Sequence, residues 1–177
     1  KTICTNPCGE IPLSAYDSCR LISVNLKNFV KNPFTKKASF DFNHFSRVAA
    51  HAMRLSDDLV ELEIEKLDSI IKACDTDDEK ELWENLKAAC VNGRRTGLGT
   101  HGLADALACL SLAYDSEEGI EVIDKIYKTL KISAYTESVN LAKERGAFAV
   151  FNWDKEKDNA YIKSLPKKLR NLIAEFG

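Results

Sequence analysis

The sequence predicts a helix-rich α/β fold, with mostly helices and a few short strands. Apolar residues recur at three- and four-residue steps over much of the chain, which is the period of amphipathic helices. In one stretch, residues 20–30, apolar and polar residues alternate as in a β-strand. Hydrophobic residues make up 45% of the 177 residues, which is enough for one compact unit with its own core. We therefore divide the single unit, 1–177, into a cysteine-bearing loop (1–20) and a segment of strands and helices (21–177).

Charge and cysteine content narrow the class of protein. The chain has 25 basic and 27 acidic residues and a net charge of −2, so nothing suggests a nucleic-acid or membrane-surface partner. No apolar run approaches the roughly 20 residues of a membrane span, and the start shows no signal-peptide pattern. The six cysteines are scattered and include no C-x-x-C pair, which argues against a disulfide framework or a zinc site. We expect a cytoplasmic protein with reduced, functional thiols.

Residues 20–30 form the principal predicted strand. One face carries Ile22, Val24 and Leu26 and is wholly apolar, and the other begins with Leu21. This pattern fits a strand buried inside a sheet or barrel better than an edge strand.

A long helix is predicted from Asp41, its N-cap, to about Lys66. Its apolar stripe consists of Phe42, Phe45, Ala49, Ala52, Leu59 and Leu62. His44 and His51 lie near one face of this helix, so a metal pair is conceivable. No Cys, Asp or Glu stands at a matching position, and we interpret both as surface or packing histidines.

The acidic run 75–81 leads into a second helix that passes through Trp83, Leu86 and Ala89. Acidic side chains at a helix N-terminus are stabilised by the helix dipole. A calcium loop would need a glycine and a closing glutamate at defined spacing, and both are missing. We interpret the run as a solvated loop and helix start.

Three glycines, Gly97, Gly99 and Gly102, match the spacing of a dinucleotide-binding fingerprint. No convincing strand precedes them, and the acidic residue expected on a following strand is absent. From the residues alone we predict a glycine-rich turn that breaks the helical pattern. The helix that follows, 102–112, is rich in Ala and Leu and is expected to be buried on nearly all sides.

The last third of the chain predicts further helices. Asp115 or Ser116 caps a helix that runs to about Arg145, and Gly146 ends it. Its predicted apolar stripe is Ile120, Ile123, Tyr127, Leu130, Ala134 and Leu141. Two short helices, 153–164 and 166–176, are divided at Pro166. Three cysteines in the helical parts are expected to be small buried hydrophobes: Cys74, Cys90 and Cys109.

The candidate chemistry lies in the run Asn6-Pro7-Cys8-Gly9-Glu10. An amide, a thiol and a carboxyl stand at every second position, so an extended backbone would project all three to one side. Pro7 biases Asn6 away from helix, which predicts an extended or looped backbone. Gly9 allows a backbone or a ligand to come close to the thiol.

These groups suit the activation of a hydroxyl-bearing carbon. In this hypothesis Glu10 takes a proton, Cys8 reacts and Asn6 orients the substrate. The alternative is a Pro-Gly turn that carries a buried cysteine. A second thiol, Cys19, follows eleven residues after Cys8.

Together the stretches NPCGEIPL, YDSCRL and SVNL, within residues 6–26, closely resemble the large catalytic subunit of ribonucleotide reductase. The short gap between Cys8 and Cys19 looks more like the adenosylcobalamin-dependent class II enzymes than the class I enzymes. Residues 94–107, RRTGLGTHGLADAL, resemble a downstream stretch of the same family, and residues 142–148, AKERGAF, resemble a helix end in it. The resemblance covers most of residues 3–150.

The resemblance implies a fold and a set of roles. The chain would be a section of the ten-stranded α/β barrel, in which residues 94–99 are a strand that enters a helix at about Gly102. Cys8 would be the thiyl radical that abstracts the ribose 3′ hydrogen, and Glu10 the base at the 3′ hydroxyl. Asn6 would bind the ribose hydroxyls, and Cys19 would be half of the dithiol that reduces the 2′ position.

The resemblance also implies partners. They are a ribonucleoside di- or triphosphate substrate, adenosylcobalamin to generate the radical, a thioredoxin-like external dithiol reductant and the remainder of the reductase chain. The redox partner of Cys19 would lie upstream of this chain, so the isolated 177 residues are predicted to have no turnover. Two alternatives remain open, a stand-alone helical binding or scaffold module and a subunit of a split enzyme.

Overall fold

Helices account for most of the computed structural model, which describes residues 2–177. The helices are α1 (Phe42–Ala73), α2 (Asp77–Gly93), α3 (Leu103–Cys109), α4 (Glu117–Arg145), α5 (Trp153–Glu156), α6 (Ala160–Lys163) and α7 (Lys167–Phe176). The strands are β1 (Cys4–Thr5), β2 (Pro12–Leu13), β3 (Arg20–Asn25), β4 (Val30–Lys31), β5 (Ser39–Phe40) and β6 (Thr96–His101). This arrangement confirms the predicted helix-rich α/β class with a few short strands.

The strands pair as three two-stranded sheets. Two are antiparallel hairpins, β1 with β2 and β4 with β5. The third is parallel, with β3 alongside β6 in a register that runs from Arg20 opposite Thr96 to Asn25 opposite His101. The glycine-rich segment is therefore itself a strand, as the resemblance implied. The interpretation of that segment as a turn was wrong, because its pairing partner lies far away in the sequence.

The predicted strand 20–30 is shorter in the structure. β3 ends at Asn25, whose side chain accepts a hydrogen bond from the Lys27 amide at 3.1 Å and starts a 3-10 helix, Leu26–Phe29. Val24 is buried as predicted, whereas Leu21 on the opposite face is 62% exposed. The prediction that both faces are buried is therefore wrong for the part of the chain described.

Helix α1 begins as predicted, because the Asp41 carboxylate accepts a hydrogen bond from the His44 amide at 3.0 Å. It continues to Ala73, beyond the predicted end at Lys66. Leu62 belongs to the predicted stripe but is 59% exposed. The second half of α1 packs against α2, so Val60 and Leu67 are buried there instead.

The helices after β6 differ in detail from those predicted from the sequence. Helix α3 buries one side only, with Ala104, Asp105 and Ala108 exposed. Ser116 caps α4 by accepting a hydrogen bond from the Gly119 amide at 3.0 Å, and Gly146 ends the helix with a φ of 86°. Along α4 the buried residues include Ile126, Leu130, Val139 and Leu141, while Ile120 and Tyr127 of the predicted stripe are exposed. Segment 153–164 forms two single turns, α5 and α6, rather than one helix.

The main core lies between the β3–β6 pair and helices α1, α3 and α4. An aromatic cluster occupies its centre, with the Phe45 ring 5.0 Å from Phe29 and 5.5 Å from Phe40 between centroids. Val24 and Leu26 join this cluster from β3 and the residue after it. The core thus fixes β3, the strand that begins directly after Cys19.

Candidate functional site

The cysteine motif forms the tip of a hairpin. Strand β1 pairs with β2, and the backbone N–H of Asn6 donates to the Ile11 carbonyl at 3.1 Å. A β-turn follows, in which the Gly9 amide donates to the Asn6 carbonyl at 2.9 Å. Pro7 and Gly9 occupy the second and fourth positions of this turn, where each residue type is favoured. The looped backbone is confirmed, and the extended alternation across these residues is wrong.

The turn separates the three candidate groups by burial. Asn6 is 7% exposed, whereas Cys8 and Glu10 are exposed. The alternative interpretation was therefore right about the turn and wrong about a buried Cys8. The Asn6 side-chain oxygen is buried and has no hydrogen-bond partner among the described residues. Such a group costs about 1–3 kcal/mol when it stays unsatisfied.

Cys19 lies directly before β3 and is half-buried. Burial is the main cause that raises the pKa of its thiol. The positive charges of Arg95 and Arg20 oppose this rise in pKa, and the carboxylates of Asp17 and Glu10 add to it. The Cys19 thiol is therefore protonated at neutral pH.

Three charged residues around Cys19 were missed by the sequence reasoning. The Arg95 guanidinium donates to the Asp17 carboxylate at 2.7 Å, and Arg20 pairs with Glu63 on α1. Asp17 and Arg20 flank Cys19 in the sequence, and this flanking pair was an available signal. Nothing in the sequence indicates that Arg95 reaches the same place, because the contact depends on the β3–β6 pairing.

The other cysteines and the histidines occupy different surroundings. All six cysteines are free; Cys90 and Cys109 are buried as predicted, and Cys74 is half-buried. Within residues 2–177, no group of three or more His, Cys, Asp or Glu side chains could hold a metal ion. His101 contacts the Ser23 hydroxyl, with 2.9 Å between Nδ1 and Oγ. None of the helices described is both long and apolar enough to cross a membrane.

Gly97 leaves room for the Cys19 sulfur. A Cβ at Gly97 would lie 2.9 Å from the Cys19 Sγ and 2.6 Å from a methyl group of Leu21, both closer than real Cβ contacts. At Gly99, two residues along β6, the nearest atom would be the Ile22 carbonyl oxygen at 4.0 Å. A side chain at position 97 would therefore clash with Cys19 and Leu21, whereas a side chain at position 99 would not.

Replacing Gly97 with alanine should displace the Cys19 thiol towards solvent. We expect iodoacetamide to label Cys19 about threefold faster in Gly97→Ala, because reduced burial lowers the thiol pKa. Stability should change little, since the exposed Leu21 side chain can swing away. Mass spectrometry of the labelled peptide measures the rate, and Gly99→Ala is the matched control. Equal labelling rates in the two variants would contradict this account.

A comparison with known proteins gives the family of this chain. The family model described as "Ribonucleotide reductase, barrel domain" matches residues 1–175. The chain belongs to the ribonucleotide reductase barrel-domain family. The described residues contain one parallel strand pair and no closed barrel, so the chain is a section of the family's barrel domain.

Curated relatives support the same assignment to the ribonucleotide reductase family. The chain is 34% identical over 164 residues to a vitamin B12-dependent ribonucleoside-diphosphate reductase of Mycobacterium tuberculosis, covering 93% of this chain and 20% of that protein. A protein of the same name from Thermoplasma acidophilum is 34% identical over 155 residues, covering 86% of this chain and 18% of that protein. The ribonucleoside-diphosphate reductase large subunit of African swine fever virus is 29% identical over 147 residues, 83% of this chain and 16% of its own length. The chain thus spans about a fifth of the length of these two vitamin B12-dependent reductases.

Proposed function

We propose that the whole protein containing this chain reduces ribonucleotides to deoxyribonucleotides for DNA synthesis. One observation carries the proposal. In a chain of the ribonucleotide reductase family, Cys8 stands exposed on a hairpin turn that begins at Asn6, whose side-chain oxygen is buried with no hydrogen-bond partner among residues 2–177. A thiol that can give and take a hydrogen atom and an acceptor that can bind a ribose hydroxyl suit the proposed ribose chemistry.

Each site residue has a proposed role. Cys8, as a thiyl radical, takes the 3′ hydrogen atom of the ribose, and the exposed Glu10 carboxylate accepts the proton of the 3′ hydroxyl. Asn6 holds the ribose hydroxyls through its side-chain amide. Cys19 supplies one of the two thiols that reduce the 2′ position, and the second thiol comes from the remainder of the reductase chain. The 2′ hydroxyl leaves as water, and the two thiols end as a disulfide. Cys8 then returns the hydrogen atom to the 3′ carbon, which restores the thiyl radical.

We further propose adenosylcobalamin as the cofactor of the whole protein, since several relatives are named vitamin B12-dependent. When bound, this cofactor supplies the radical chemistry. In this chain, the residues around Cys8 leave the thiol accessible to another group. Cys8 is exposed, and a Cβ built on the adjacent Gly9 would have no atom within 4 Å. The open space beside the thiol fits the approach of another group.

The remaining partners follow from the same proposal. The substrate is a ribonucleoside di- or triphosphate, and a thioredoxin-like dithiol regenerates the Cys19 thiol in a cytoplasmic setting. Six free cysteines are consistent with a reducing compartment.

The test compares the whole protein with the isolated chain. The whole protein, supplied with adenosylcobalamin, dithiothreitol and each ribonucleoside di- and triphosphate, should form the matching deoxyribonucleotide. The isolated chain should form none, because the partner thiol of Cys19 lies outside it. No product from the whole protein would refute the function, and product from residues 1–177 alone would refute the predicted inactivity of the fragment.

A further inference from the structure

We propose that Arg95 and Arg20 are positioning residues for Cys19: ion pairs with Asp17 and Glu63 keep their two guanidinium charges beside the segments that precede and follow the thiol. This inference rests on the proposed role of Cys19 in ribonucleotide reduction. It concerns two arginines to which the motif reasoning gave no role. The two arginines also contact each other, because the Arg20 guanidinium donates to the Arg95 backbone carbonyl at 3.5 Å.

The first contact fixes the segment before Cys19. Asp17 is two residues upstream, and its side chain is only 7% exposed. One carboxylate oxygen accepts a hydrogen bond from the Arg95 guanidinium at 2.7 Å, and the other accepts from the Ser18 amide at 2.9 Å. Arg95 directly precedes β6, so this ion pair ties the approach to Cys19 to the neighbouring strand.

The second contact fixes the residue after Cys19. The Arg20 side chain is 9% exposed and pairs with Glu63 on α1. It also donates to the Cys90 sulfur on α2 at 2.9 Å and to the Ser18 carbonyl at 3.2 Å. A buried guanidinium with this many partners is held rigidly. Cys19 therefore sits between two anchored residues on a backbone that helices α1 and α2 and strand β6 fix together.

The arginines also change the electrostatics at the sulfur. Burial raises the pKa of the Cys19 thiol, and the carboxylates of Asp17 and Glu10 raise it further. The charges of Arg95 and Arg20 are the two influences that lower the pKa. The thiol thus stays protonated at neutral pH, while two cations are in place to stabilise the thiolate whenever it forms.

This stabilisation matters when the oxidised enzyme is recycled. An external dithiol attacks the sulfur bonded to Cys19, the S–S bond breaks, and its electron pair remains on the Cys19 sulfur. That sulfur leaves as a thiolate and then takes a proton. The external dithiol is oxidised to a disulfide and the enzyme disulfide is reduced to two thiols. A leaving thiolate that is better stabilised leaves faster, so the arginines favour departure of Cys19.

The test measures how fast iodoacetamide labels Cys19 in this chain as a function of pH, with labelled peptides quantified by mass spectrometry. Cys4, which is exposed on β1, is the internal reference. We expect Arg95→Gln to label Cys19 about threefold more slowly below the thiol pKa, because a cation that favours the thiolate is lost. Arg95→Lys keeps the charge and should restore most of the rate. Arg47→Gln, at an exposed arginine of α1, should match the parent.

A purely structural role predicts the opposite sign. Loosening the segment would expose Cys19 and relieve the burial that raises its pKa, so Arg95→Gln would label faster than the parent. Faster or unchanged labelling in Arg95→Gln would therefore overturn the proposal. If that variant does not fold, high salt provides the test on the unchanged chain. Screening of the arginine charges should slow labelling of Cys19 relative to Cys4, whereas loosening of the ion pairs would speed it, and faster or unchanged labelling would overturn the proposal.

The labelling result is separate from the proposed function. Suppose that the arginine variants label as expected, but that Cys19→Ser in the whole protein still supports dithiothreitol-driven turnover. The proposed role of Cys19 in reduction is then refuted, while the proposed role of the arginines is supported. If Cys19→Ser abolishes turnover while labelling is insensitive to Arg95, the positioning fails and the function stands.

Discussion

Replacing Cys8 with alanine in the whole protein is expected to abolish ribonucleotide reduction, lowering turnover on the order of 10⁴-fold or more, as removal of a group that reacts covalently does. The side chain is exposed at the tip of the turn, so its loss removes no buried contact. Formation of deoxyribonucleotide from each ribonucleotide measures the effect. Circular dichroism and a thermal melt confirm that the variant remains folded.

Cys4→Ala is the matched control for this prediction. Cys4 is also exposed and lies in the same hairpin, on β1, where its backbone pairs with Leu13. We expect it to retain most of the turnover of the parent protein. Retained activity in Cys8→Ala would refute the radical role of Cys8. Equal loss in both variants would show that the hairpin responds to any substitution and that Cys8 has no special role.

Local signals predicted the starts of the helices well. Asp41 and Ser116 cap α1 and α4 in the structure because a short polar side chain reaches the free amide three residues on. The glycine at 146 ends α4 for a similarly local reason, its positive φ. Features that depend on a few adjacent residues can be deduced from the sequence.

Features set by distant residues could not be deduced in this way. β6 is rich in glycine and lacks the β-branched pattern of a strand, and its pairing with β3 is what makes it one. The ion pair between Asp17 and Arg95 joins residues 78 apart in the sequence, so it follows only from that pairing. The same distance explains why the motif identified Cys19 but not its surroundings.

Turn chemistry accounts for the one local error in the site. The alternation of Asn6, Cys8 and Glu10 assumes an extended backbone, but Pro7 and Gly9 stand at the two positions where they favour a β-turn. The turn buries Asn6 and exposes Cys8. The spacing of the functional groups was read as a strand pattern when the intervening residues specified a turn.

Phe45→Ala is expected to lower the free energy of unfolding by about 3–5 kcal/mol, the cost of a large cavity in a packed core. Phe45 is fully buried, with its ring against Phe29 and Phe40. The same cluster holds Val24 of β3 in place. Urea unfolding followed by circular dichroism measures the change. The urea concentration at the midpoint of unfolding should fall, while the m-value should stay the same.

Phe34→Ala is the matched control, because the Phe34 side chain is 69% exposed. We expect its effect on stability to stay within about 0.5 kcal/mol. The Phe45→Ala variant also tests whether the stability of the core affects the position of Cys19. Below its unfolding transition, Phe45→Ala should label Cys19 at the parent rate, since Cys19 is anchored through Asp17 and Arg20 rather than through the aromatic cluster. Faster labelling under those conditions would mean that the core, and not the ion pairs, places the thiol.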